Sequence, residues 1–123
     1  MTMVRFLHIS AIMLATLVLT AASPVNIEKP KRGVIPTGEF RRIERAGRDA
    51  GLAEACKVEW KSFHTAFMKK ESRKRWTRRQ LTHIDKVFTY GQAKAAGGID
   101  SCDTSQKFKI VLKLRRWMLN LRE

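Results

Sequence analysis

Acidic side chains are scarce in this chain: 11 Asp and Glu stand against 25 Lys and Arg, a formal charge of +14 over 123 residues. Such an excess predicts attraction to anionic surfaces and a strong salt dependence, and carries no information about fold. Cysteine is limited to Cys56 and Cys102, and neither lies in a CxxC pair. The histidines of the central region, His64 and His83, form no HxxxH and have no cluster of carboxylates beside them. A metal site built from neighbouring ligands is therefore not expected, and both histidines read as structural or surface residues. No serine or cysteine sits in a recognisable nucleophile motif, so the expectation is a protein that is not an enzyme and needs no cofactor. Prolines occur only at Pro24, Pro30 and Pro36, so none interrupts the region beyond residue 38. No strand pattern, internal repeat or low-complexity tract is evident.

What the sequence does contain begins with an export signal. Met1 to Arg5 supply a short positive start, Phe6 to Leu19 form a largely apolar run, and Thr20-Ala21-Ala22 places small residues at a cleavage site. Residues 1–22 are thus expected to be a cleaved signal peptide, making the protein periplasmic or secreted. An uncleaved anchor is the alternative, but 14 helical residues span only about 21 Å of a roughly 30 Å hydrocarbon core. Removing 22 residues leaves 101 with a charge of +13, because only Arg5 departs. No transmembrane span is expected in that mature chain. Two cysteines in an oxidising compartment predict a bridge from Cys56 to Cys102, with pairing to a partner molecule as the alternative.

Residues 23–38 hold all three prolines and the KPKR cluster, and read as a flexible basic leader. Residues 39–123 read as an all-α domain, a small bundle of three to four helices. Thr37 is a plausible cap for a short leading helix with Phe40 and Ile43 on its buried side. Gly47 and Gly51 weaken that helix and predict a break or bend near Gly51. A second helix is expected from about Leu52 to Arg73, with Cys56, Trp60, Phe63 and Phe67 at i, i+4, i+7 and i+11.

Trp76-Thr77-Arg78-Arg79-Gln80-Leu81 combines a capping box, Thr77 with Gln80, and a hydrophobic staple, Trp76 with Leu81. A third helix should follow to about Ala96, with Leu81, Ile84, Phe88, Gly91 and Ala95 on its stripe and Gly97-Gly98 as its stop. Asp103 to Gln106 repeats the cap pattern. The last helix shows a seam of Phe108, Val111, Leu114, Met118 and Leu121, widened by Ile110, Leu112 and Trp117.

The densest chemical signal lies between the second and third helices. Lys69, Lys70, Arg73, Lys74, Arg75, Arg78 and Arg79 fall within eleven residues, opposed only by Glu71. Arg78 and Arg79 occupy the first turn of a helix, where cations are unfavourable. A broken local rule at such a place points to function. Arg73, Lys74, Arg75, Arg78 and Arg79 are therefore the candidate anion-binding residues, forming a basic corner in which an anion meets side chains and a helix N-terminus together, with a solvated turn that keeps the chain soluble as the alternative.

The partner expected for that corner is an anionic membrane surface or an acidic protein. Stacking of nucleic acid on Trp76, Tyr90 and Trp117 is the weaker alternative, because the staple and the seam already explain both tryptophans. FKIVLKLRRWMLNLRE would suit a membrane surface, although a core helix with a basic outer face is preferred. The main rival to anion binding is a structural or chaperone-like envelope protein holding clients on apolar helix faces.

Cys56, Trp60, Phe67, Met68, Trp76, Gln80, Gly91, Gln92 and Cys102 together resemble the framework of small exported bacterial α-helical proteins with two cysteines. The resemblance runs from about Leu52 to Cys102 and transfers no activity. The basic run from Lys69 to Arg79 departs from a generic member of that group.

Overall fold

The computed structural model describes residues 28–123, so the expected signal peptide lies outside the described residues. Four helices make up the fold: α1 Thr37–Ala55, α2 Lys61–Ser72, α3 Arg78–Gly97 and α4 Thr104–Leu121. The bundle is all-α and carries one disulfide, from Cys56 to Cys102.

The expected break at Gly51 does not occur; α1 runs through both glycines for 19 residues. The leading helix is therefore one of the long ones, and the second is the shortest. Close packing outweighs the roughly 1 kcal/mol that each glycine costs a helix. A Cβ at position 47 would collide with the Phe88 carbonyl oxygen, and one at 51 with that of Gln92. From the other side, a Cβ on Gly91 would lie 2.8 Å from the Glu44 carbonyl oxygen. Backbone thus touches backbone along α1 and α3, with Ala46, Ala50 and Ala53 buried beside the contact.

The chain turns instead after Ala55. Lys57 adopts a left-handed φ of 56°, its N–H donates to the Glu54 carbonyl, and the Val58 N–H donates to the Ala53 carbonyl. This pair of bonds is a Schellman closure, a role usually filled by glycine. Cys56 consequently caps the end of α1 rather than opening the second helix. The disulfide joins that end to the short segment just before α4, with 5.2 Å between the Cα atoms.

Thr37 does not cap α1. Pro36 precedes the helix in an extended conformation and makes no side-chain cap, and its carbonyl accepts from the Phe40 N–H at 2.9 Å. The fixed ring of Pro36 sets the entry, leaving Thr37 as the first helical residue. Ahead of it Ile35 is buried against the bundle, and the Val34 carbonyl accepts from the Gln80 side chain at 3.3 Å.

Both capping boxes form as the sequence predicts. Thr77 Oγ1 accepts from the Gln80 N–H while Gln80 Oε1 accepts from the Thr77 N–H. Asp103 and Gln106 exchange the same pair of bonds at the start of α4. At the head of α2 the Glu59 carboxylate accepts from the Ser62 N–H and hydroxyl, bonds that hold this carboxyl below its usual range.

The core centres on an aromatic cluster. Phe63 and Phe67 of α2 meet Phe88 of α3 at centroid distances of 5.7 and 5.3 Å, and Trp117 of α4 closes on Phe63 at 5.8 Å. Its indole N–H donates to Asp49 of α1 at 2.9 Å. Ile43, Ile84 and Val87 complete the buried centre.

α4 departs most from its expected seam. Only Ile110 and Leu114 are buried, while Phe108 is 63% exposed and Leu112 41%. A helix apolar around most of its circumference offers more than one inward face. Packing on α1 and α2 selects the one centred on Ile110, Leu114 and Trp117.

Candidate functional site

The turn between α2 and α3 brings the five predicted cations into one exposed corner. Arg73 ends α2, Lys74 and Arg75 lie in the turn, and Arg78 and Arg79 open α3. All five are exposed. The capping box occupies the Gln80 N–H, and the Arg78 and Arg79 N–H groups of the first turn of α3 have no intrahelical acceptor.

Beneath the corner sits a residue whose role the sequence conceals. Glu71 is 0% exposed. Its Oε1 accepts from the Arg42 guanidinium at 2.7 Å and from Lys74 Nζ at 3.0 Å, and its Oε2 accepts from the Trp76 indole N–H at 2.9 Å. Burial pushes this carboxyl upward, but bonds from Lys74, Trp76 and Arg42 overcome that and hold it below its ordinary range. Arg42 mirrors it: burial works against its charge, while bonds to Glu39 and Glu71 raise its pKa. Arg42 also grips Glu39 at 2.6 Å and lies over the Phe67 ring, 5.4 Å from its centroid.

Two consequences follow for the corner. First, the one acid within the basic run is buried and bonded to Arg42, Lys74 and Trp76, so of the outer cations it neutralises Lys74 alone. Arg73, Arg75, Arg78 and Arg79 form no ion pair among the described residues. Lys74 differs, being committed to Glu71 while remaining partly exposed. Second, Glu71 fastens both ends of the turn, through Lys74 and Trp76, to α1. The corner is thereby presented on a fixed base.

Positive charge continues from the corner in both directions. Along α3, Arg79, His83, Lys86 and Tyr90 line one wall of an open cleft of about 720 Å³, with Lys29 and Lys31 opposite. Glu28 and Asp85 also border it, and Asp85 pairs with His64 Nε2 at 2.8 Å. That pairing, across α2 and α3, has no sequence signature. In the other direction Lys69, Lys70, Arg73 and Arg122 surround a smaller cleft of about 260 Å³ floored by Met118 and Leu121. There Lys70 Nζ donates to the Asn120 carbonyl at 2.6 Å, joining the basic end of α2 to the end of α4.

Sequence reasoning missed Glu71, Arg42 and the contribution of Arg122. A lone acid with a lysine three residues on and a tryptophan five residues on was the available signal. Among the described residues no group of three or more His, Cys, Asp or Glu could hold a metal ion. Both cysteines are joined in the disulfide. No helix of the described residues is long and apolar enough to cross a membrane. No family model, curated protein or solved structure matches this chain.

Proposed function

We propose that this chain is an exported, non-catalytic binding protein that engages an anionic partner through the basic corner formed by Arg73, Lys74, Arg75, Arg78 and Arg79. An envelope lipid headgroup or an acidic protein supplies the required chemistry. The observation that carries this proposal is the burial of Glu71, which leaves four arginines without an ion partner among the described residues on a turn pinned from below. Cations placed against the partial positive charge of a helix N-terminus are disfavoured in the free protein and relieved when an anion binds. Export is supported by the signal-like first 22 residues and by the disulfide.

The test is binding to anionic and neutral vesicles, and to polyglutamate as an acidic-polypeptide probe, across a salt series. Binding that weakens with salt and is lost in an Arg78→Ala, Arg79→Ala double variant supports the corner; equal binding by the variant refutes it. A rival role, holding unfolded clients on apolar helix faces, draws on the exposed Phe108, Leu112 and Leu119 of α4. It predicts client binding that survives salt.

A further inference from the structure

We infer that the partner is an anionic lipid bilayer and that the outer face of α4 enters its interface beside the basic corner; this inference rests on the anionic-partner proposal above. Three large apolar side chains of α4 remain in solvent: Phe108 at 63%, Leu112 at 41% and Leu119 at 56%. At 100° per residue they fall within about 40° of one another, roughly opposite the buried Ile110 and Leu114. They form one stripe along the helix, with Arg115 between Leu112 and Leu119.

The surroundings of the stripe select its occupant. α4 contains Lys107, Lys109, Lys113, Arg115 and Arg116 and no acidic residue. An apolar stripe edged by long cationic side chains is the arrangement of a helix lying in a membrane interface, where aliphatic stems follow the apolar surface and charged ends reach the headgroups. An acidic protein would satisfy the cations but has no requirement for the stripe. The end of α4 meets the corner on a different face from the stripe: Met118, Leu121 and Arg122 share a cleft with Arg73, and Lys70 bonds the Asn120 carbonyl. The cations that edge the stripe suit headgroups, and the stripe itself suits acyl chains.

The test uses the chain from Ser23 onward, which contains the whole described fold, with phosphatidylglycerol–phosphatidylcholine vesicles and pure phosphatidylcholine vesicles. A Phe108→Ser, Leu112→Ser, Leu119→Ser variant, checked for parental thermal stability by circular dichroism, is expected to bind the anionic vesicles at least about tenfold more weakly. Independently, a Leu112→Trp variant is expected to show, after subtraction of the parent spectrum, blue-shifted emission quenched by brominated acyl chains in the anionic vesicles alone. If the serine variant binds as the parent does and the difference emission of the Leu112→Trp variant does not move, while the Arg78→Ala, Arg79→Ala variant still loses binding, the α4 inference falls and the corner stands. If the parent binds polyglutamate but no vesicle, the bilayer is overturned as partner and the anionic-partner proposal survives. If it binds neither, both are overturned. Sedimentation showing a dimer that the serine variant abolishes would also overturn the inference, since a second copy would then cover the stripe.

Discussion

Arg42 of α1 reaches the fully buried carboxylate of Glu71 on α2 at 2.7 Å, tying the first helix to the element that carries the basic corner. With Lys74 and the Trp76 indole on the same carboxylate, three donors from two regions of the chain converge on one interior charge. Removing that charge leaves Arg42 with Glu39 as its one remaining ion partner and Lys74 with none among the described residues.

Glu71→Gln should therefore destabilise the fold by on the order of 3 kcal/mol, measured by urea denaturation at neutral pH. The pH dependence has a defined sign. The folded-state pKa of Glu71 lies below its ordinary value of 4.5, so its contribution is complete above that value and is lost as pH falls through the folded pKa. The difference in stability between parent and variant should shrink progressively below pH 4.5.

Gly47→Ala and Gly51→Ala should each cost about 2 kcal/mol, despite the better helix propensity of alanine, because the new methyl meets carbonyl groups of α3 that cannot move independently. Gly38→Ala supplies the control. A Cβ there meets nothing within 4 Å, so the substitution should stabilise α1 by about 0.5 kcal/mol. Thermal melts of the three variants separate close packing from propensity.

Lys57→Gly should stabilise the protein by about 0.5 to 1 kcal/mol. It relieves a left-handed backbone that costs lysine more than glycine, partly offset by the greater freedom of glycine in the unfolded chain. Loss of stability in the denaturation midpoint would show that the lysine side chain contributes more than its backbone strain removes.

The Cys56–Cys102 bond closes a loop of 46 residues in sequence separation. Its loss through a Cys56→Ser, Cys102→Ser double variant should lower stability by about 4 kcal/mol in the loop-entropy model. Comparison of the parent with and without reductant should give the same difference.

Helix type and most caps were legible because they depend on neighbours in sequence. Thr77 with Gln80 and Asp103 with Gln106 are complete signals within four residues, and an even cysteine count behind a signal-like start was enough to anticipate the bridge. The continuation of α1 was not legible, because Gly47 and Gly51 weaken a lone helix and become useful only against Phe88 and Gln92 of α3. The true break fell on Lys57, a residue with no intrinsic preference for a left-handed turn. The burial of Glu71 required knowledge that Arg42, 29 positions earlier, would arrive beside it. Phe108 was placed in the seam and Leu112 on its widened face because periodicity identifies apolar faces without choosing among them on a helix with as many apolar residues as α4. The five candidate cations were legible as a cluster; that the intervening acid points inward was not.

The most direct measurement is the affinity of the chain from Ser23 onward for phosphatidylglycerol-containing vesicles over a salt series, beside the Arg78→Ala, Arg79→Ala variant. At about 1 kcal/mol per basic residue near an anionic surface, the two arginines should account for roughly 2 kcal/mol, an approximately thirtyfold loss of affinity at low salt that narrows as salt is raised. Equal affinity of parent and variant throughout the series would contradict the corner as the binding site.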